Sequence, residues 1–178
     1  MIKVCIADNY PVVHFGVKSY FKDNAEISIV ANVGNFLMVR DILQTKEIDV
    51  LILDLELEGL ASIFEVKALL KNFPKTKIII FSGLSEQIYA PNAIKAGVSG
   101  FVHKSEKLET LGQSIIKVHQ GKIIMNETVK KNLALIAKQS KSERLYRKLS
   151  NREVEVLRYL SDGKKNHEIA DILKLNEK

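Results

Sequence analysis

Four polar side chains stand directly after short apolar runs rich in β-branched residues. Asp8 follows Val4-Cys5-Ile6-Ala7, Asp54 follows Val50-Leu51-Ile52-Leu53, Ser82 follows Ile78-Ile79-Ile80-Phe81, and Lys104 follows Gly100-Phe101-Val102-His103. Two aspartates brought together offer the hard oxygen ligands that Mg²⁺ prefers. A hydroxyl and an ammonium group suit phosphoryl oxygens and offset their charge. A carboxylate can itself be the nucleophile that accepts a phosphoryl group. Any one of these residues alone reads as a turn cap. All four at strand ends point to phosphoryl chemistry at one edge of a sheet.

The elements that must position them follow from the hydrophobic pattern. Asp49–Leu53 reads as a strand buried on both faces, as in a parallel sheet. Similar runs occur at Lys3–Ala7, Ile27–Asn32, Lys77–Phe81 and Gly100–Val102. Helical patterns lie between them: Val13, Val17 and Phe21 share a face after Pro11, and Asn35 caps a helix carrying Phe36, Val39 and Leu43. A third helix carries Ile63, Val66 and Leu69 and stops at Phe73-Pro74; a fifth carries Leu108, Leu111, Ile115 and Val118 and closes at Gly121. Pro91 would remove a bond from a helix interior, so the fourth helix is expected to start at or just before Pro91 and to end by Gly97. This alternation predicts an α/β fold, a doubly wound parallel sheet of five strands. Ligands of such sheets bind outside the carboxyl ends of the strands, where Asp8, Asp54, Ser82 and Lys104 stand.

After Gly121 the rhythm changes. Lys122–Gln139 reads as one helix and Ser140–Lys148 as a polar, basic linker. In the last stretch Ser150 or Asn151 caps a helix that runs through Asp162 to Gly163, and Asn166 caps a second with Ile169, Ala170 and Leu173. The expected organisation is therefore a domain at 1–121, a connecting stretch at 122–148 and a small all-α segment at 149–178.

The net charge of +6 is unevenly spread. Residues 1–121 hold 13 Lys+Arg against 13 Asp+Glu, and residues 122–178 hold 14 against 8. A basic second part suggests a polyanionic partner. No window approaches the roughly 18 apolar residues of a membrane span, so no membrane is expected as a partner. A single cysteine, Cys5, excludes an internal disulfide and fits a cytoplasmic setting.

Two motif sets carry a family resemblance. Ile6-Ala7-Asp8-Asn9, Leu51-Ile52-Leu53-Asp54, Ile79-Ile80-Phe81-Ser82 and Ala96-Gly97-Val98-Ser99-Gly100-Phe101-Val102-His103-Lys104 resemble the flavodoxin-like receiver domain of bacterial response regulators. Leu149-Ser150-Asn151-Arg152-Glu153-Val154-Glu155-Val156-Leu157, then Gly163 and Asn166-His167-Glu168-Ile169-Ala170, resemble the start of a LuxR-type helix-turn-helix. Together they resemble the NarL/FixJ class of two-component regulators. The resemblance implies that Asp54 accepts a phosphoryl group from a histidine kinase and that Asp8, Asn9, Asp54 and the Glu56 carbonyl hold Mg²⁺. It implies that Ser82 and Lys104 contact the phosphoryl group, and that burial of Phe101 reports the activated state. It further implies DNA as a partner, a homodimer, and no enzymatic activity beyond slow self-dephosphorylation. Lys164 and Lys165 are candidates for weak contact with the DNA backbone.

The chain departs from the family pattern in three places. Asn9 stands where a second acid is usual, which removes one negative charge and should weaken the metal site. Glu58 and Ser62 replace a usual Pro and Gly in the loop after Asp54, and Ser82 replaces a more frequent Thr. The third departure is at the end: Leu175-Asn176-Glu177-Lys178 falls where the DNA-reading helix should begin. The expectation is a truncated form, with Ile169, Ile172 and Leu173 partly uncovered and no sequence-specific DNA binding. Two other classes compete. One is a phosphorylation-independent receiver that acts through protein contacts only. The other is a phosphatase with Asp54 as nucleophile and Glu56, two residues on, as general acid. Ser82 and Lys104 fit both classes, but the C-terminal motif fits only a regulator.

Overall fold

A computed structural model of the chain describes residues 1–138 and 151–173. Five strands, β1 (Ile2–Ala7), β2 (Ile27–Val33), β3 (Val50–Leu53), β4 (Lys77–Ser82) and β5 (Gly100–His103), form one sheet in the order β2-β1-β3-β4-β5. Every pairing is parallel. Crossover helices α1 (Pro11–Tyr20), α2 (Phe36–Thr45), α3 (Ile63–Asn72), α4 (Glu86–Ala96) and α5 (Leu108–His119) alternate with the strands.

Alternation along each strand divides the core in two. Cys5, Ala7, Leu51, Leu53, Ile78 and Ile80 face α2, α3 and α4, where they meet Phe36, Val39, Val66, Leu69, Ala90 and Ala93. Val4, Ile6, Val50, Ile52, Ile79 and Phe81 face the other way and meet Val17, Phe21, Leu111, Ile115 and Val118 from the α1 and α5 side. A strand buried on both faces has no polar position to spare, which explains the unbroken apolar runs. Each fully buried Val, Leu or Ile contributes about 1.5–3 kcal/mol.

The helix ends largely follow the local signals. Pro11 opens α1, and the Asn35 side chain accepts the Leu37 N–H at 2.7 Å to cap α2. The Glu65 carboxylate reaches back to the Ala61 and Ser62 N–H groups at 2.6 and 3.2 Å, fixing the start of α3.

The expectation for the fourth helix is corrected. It begins at Glu86, a full turn before Pro91, and carries the proline inside. One intrahelical bond is lost at Pro91, but the turn before it is secured: the Ser85 carbonyl accepts from both Ile88 and Tyr89 at 3.1 Å. The single helix expected from Lys122 is corrected too. Gly121 has φ +85°, and Ile124 then lies in a bridge beside Gly100. The Ile124 N–H donates to Ser99 O and its carbonyl accepts from Phe101 N. The helix α6 starts only at Glu127 and runs to Lys138, with Val129 fully buried in the first core cluster and Leu133 packed against it.

The chain divides into two compact units, Met1–Leu133 and Ala134–Lys178. In the second, α7 (Asn151–Ser161) and α8 (Asn166–Ile172) pack together. Gly163, at φ +76°, reverses the chain between them, and Lys164 N–H donates to Tyr159 O at 2.9 Å. Ile169 and Leu173 are buried whereas Ile172 is exposed, so of the three residues expected to be uncovered only Ile172 is. The linker at Ser140–Lys148, the Ser150 cap and the terminal Leu175–Lys178 lie outside the described residues. Among the described residues no helix is long and apolar enough to cross a membrane.

Candidate phosphoryl-accepting site

Sheet register determines which strand-end residues meet. Ala7 pairs with Leu53, so the next residues, Asp8 and Asp54, leave adjacent strands side by side. Ser82 pairs with His103, which places Lys104 one step beyond Ser82 on the neighbouring strand. Main-chain bonds extend the strands by one residue: Asp54 N–H donates to Ala7 O, and Lys104 N–H to Ser82 O, both at 2.9 Å.

The result is a three-group cluster. Lys104 Nζ lies 2.7 Å from Asp8 Oδ2 and 2.7 Å from Asp54 Oδ2. Both aspartates are buried, each with 1% of its surface exposed, so two carboxylates removed from water share one cation. Burial works against the charge on Lys104, but the hydrogen bonds and charges of Asp54 and Asp8 outweigh it and hold the ammonium group above its ordinary range. Asp8 Oδ1 accepts the Tyr10 N–H at 2.8 Å, and Lys104 Nζ stands 5.2 Å from the centre of the Tyr10 ring. Glu56 N–H makes a longer bond, 3.3 Å, to Asp54 Oδ1.

The other sequence candidates fall as follows. Ser82 is fully buried on the same edge, and its hydroxyl accepts the Leu84 N–H at 3.4 Å. Phe101 is buried in the core cluster on the α2–α4 side. Asn9 donates from Nδ2 to the Glu56 carbonyl and accepts at Oδ1 from Glu58 N–H, both at 2.7 Å. Lys164 and Lys165 are exposed in the turn before α8, where the Lys165 N–H donates to Glu168 Oε2 at 2.7 Å.

Two contributors carry no signal in residue spacing. Tyr10 acts through its main-chain N–H and its ring. His103 ties the loop after Ser82: its Nε2 is 3.0 Å from Gly83 O, while Nδ1 receives the Ser105 N–H at 3.1 Å, which makes Nε2 the protonated nitrogen.

The donor set fits a hard divalent cation. Two buried carboxylates, the Glu56 carbonyl and the Asn9 amide oxygen are hard oxygen donors of the kind Mg²⁺ favours, although here the carbonyl accepts from Asn9 Nδ2 and the amide oxygen from Glu58 N–H. Asn9 supplies a neutral oxygen in place of a charged one.

With this geometry established, comparison with known proteins places the chain in a class. Residues 4–116 match the response regulator receiver domain, and residues 147–178 match the luxR family of bacterial regulatory proteins. The chain belongs to the bacterial response regulators, with a receiver domain followed by a LuxR-type DNA-binding domain. The fimbriae Z protein of Escherichia coli K12 is 32% identical over 176 residues, covering 98% of this chain and 83% of that protein. The nitrate/nitrite response regulator protein NarP of the same organism is 28% identical over 177 residues, covering 98% and 81%. A solved structure of the RcsB response regulator of Salmonella typhimurium superposes with a TM-score of 0.66 at 25% identity, over 98% of this chain and 84% of that one. The last two are response regulators, and the fold is shared with the solved RcsB structure.

Proposed function

We propose that Asp54 is the phosphoacceptor of a histidine kinase and that its state governs transcription through the C-terminal domain. The observation that carries this reading is the Lys104 ammonium group held 2.7 Å from both buried aspartates, a site where charge is already arranged around one carboxylate. An Asp54 carboxylate oxygen attacks phosphorus, an O–P bond forms, and the N–P bond of the phosphohistidine breaks as the imidazole leaves. Asp8, Asp54, the Glu56 carbonyl and Asn9 would hold Mg²⁺, whose chemistry is to offset negative charge on the phosphoryl oxygens. Lys104 then follows the new charge, since the phosphoryl group adds three strong acceptors. The Ser82 hydroxyl, now accepting from Leu84, would turn to the same group, and Phe101 would follow it as the reporter of activation. Loss of the phosphoryl group is slow hydrolysis of the acyl phosphate.

Lys164 and Lys165 would touch DNA phosphates, with a second copy of the chain as partner on the duplex. The domains assigned to these roles are 1–121, 122–148 and 149–178.

Incubation with acetyl phosphate and Mg²⁺, read by intact mass, tests the proposal. Wild type should gain one phosphoryl group and Asp54→Asn none. An equal gain in both would remove Asp54 from the role, and no gain in wild type would favour the phosphorylation-independent reading.

A further inference from the structure

Asn9 does something no carboxylate could do at its position. Its Nδ2–H group donates to the carbonyl of Glu56, and its Oδ1 accepts the N–H of Glu58. The two poles of the amide match a carbonyl and an N–H two residues apart, which also fixes the orientation of the side chain. A carboxylate could still accept from Glu58, but it would set an anionic oxygen against the Glu56 carbonyl oxygen.

Other main-chain ties run through the loop spanned by this amide, among them Leu60 N–H to Leu57 O at 3.0 Å. Glu56 N–H reaches Asp54 Oδ1 at 3.3 Å, and Leu57 N–H reaches Asp54 O at 3.4 Å. Phe36 N–H donates to Glu58 O at 2.8 Å, and the buried Leu57 anchors the middle. The two bonds from Asn9, at 2.7 Å each, are the shortest of the set. The charges agree. Asp8, Asp54 and Lys104 sum to one negative charge without any metal, whereas an acid in place of Asn9 would raise that to two.

We infer that Asn9 is a positioning residue that ties the phosphoacceptor loop Leu55–Gly59 in place without a bound cation. Together with Lys104 it takes over the two tasks a cation would otherwise perform, holding the Glu56 carbonyl and balancing the aspartates. The functional meaning of the loop rests on Asp54 being the phosphoacceptor; the tie itself does not.

The test therefore uses no phosphodonor. Hydrogen exchange over the peptide containing Leu55–Gly59 is measured on the full chain in EDTA and in saturating Mg²⁺, for wild type, Asn9→Asp and Asn9→Ala. Wild type should exchange at the same rate in both solutions, within twofold. Asn9→Asp should exchange at least tenfold faster in EDTA and return toward wild type with Mg²⁺, which it should also bind more tightly. Asn9→Ala should exchange at least tenfold faster in both. Strands β1 and β3 serve as internal reference, and Asn9→Ser substitutes for any variant in which they too lose protection. Two results overturn the inference: both variants matching wild type in EDTA, or wild type slowing tenfold when Mg²⁺ is added. Acetyl phosphate labelling, run separately, reports on the phosphoacceptor reading alone.

Discussion

The Glu86 carboxylate receives Asn126 twice: the main-chain N–H donates to Oε1 and Nδ2–H to Oε2, each at 2.8 Å. Asn126 in turn accepts the Val129 N–H at 2.8 Å and so caps α6. One side chain thus joins the first turn of α4 to the start of α6.

Asn126→Ala should loosen that segment. Losing the cap costs about 1 kcal/mol, and a charge-assisted bond lost at an exposed site adds about 1 kcal/mol or less. Hydrogen exchange at residues 127–133 should accelerate by about tenfold, corresponding to ~1.4 kcal/mol of local stability. Unchanged exchange would mean that burial of Val129 alone holds the helix.

Stability should fall on the alkaline side, in two stages. Burial pushes the Cys5 thiol up to about 12, against the opposing charge of Lys46; the same thiol in an unfolded chain ionises near ~8.5. Its contribution is whole below that unfolded value and is lost as pH rises toward the folded one. Lys104 is also held high, so its contribution persists until pH passes the ordinary lysine range of ~10.4 and is lost above it. Urea unfolding should therefore show a loss of about 2 kcal/mol between pH 8.5 and 10, from a slope of ~1.36 kcal/mol per unit. Cys5→Ala should lack most of that slope. A wild-type curve parallel to that of the variant would mean that the thiol is reached by water.

What the sequence made legible was whatever main-chain geometry transmits directly. An apolar run buried on both faces ends in a polar residue, so the pattern alone puts Asp8, Asp54, Ser82 and Lys104 at one edge. Asn35 and Pro11 were legible for the same local reason. The misread elements depend on partners far along the chain. The first turn of α4 is joined to Asn126, 40 residues on, and nothing near Pro91 announces that tie. Lys122–Met125 leaves helical geometry because Ile124 pairs with Ser99 and Phe101. Asn9 could be named as a site residue, but its partners are a carbonyl and an N–H of residues 47 and 49 positions away. Main-chain groups of that kind belong to every residue type and leave no mark in a sequence.

Lys164 and Lys165 should act on DNA through charge alone. Both are exposed beside the start of α8, and phosphate contacts of lysines release counterions with a slope of about −0.9 per contact in log K against log salt. Replacing both by Ala should flatten that slope by about 1.8 and weaken binding equally on promoter-derived and random duplexes. A change confined to one duplex would show that they report on bases.

Lys104→Met should expose how the two aspartates are kept in the core. The substitution preserves much of the length and apolar stem of the side chain but removes the charge 2.7 Å from each carboxylate. Both aspartates stay buried, so two like charges would face each other with nothing between them. Breaking a buried pair typically costs 3–5 kcal/mol. Lys104 keeps 19% of its side chain exposed, and water can reach its end of the cluster, so a loss near ~3 kcal/mol is expected at pH 8 in EDTA. The loss should shrink when a divalent cation offsets both charges, so Mg²⁺ should restore more stability to Lys104→Met than it adds to wild type. Urea unfolding at pH 8, with and without Mg²⁺, measures the effect. A deficit that ignores Mg²⁺ would assign the contribution of Lys104 to the contact of its Nζ with the Tyr10 ring, and the electrostatic account of the cluster would be wrong.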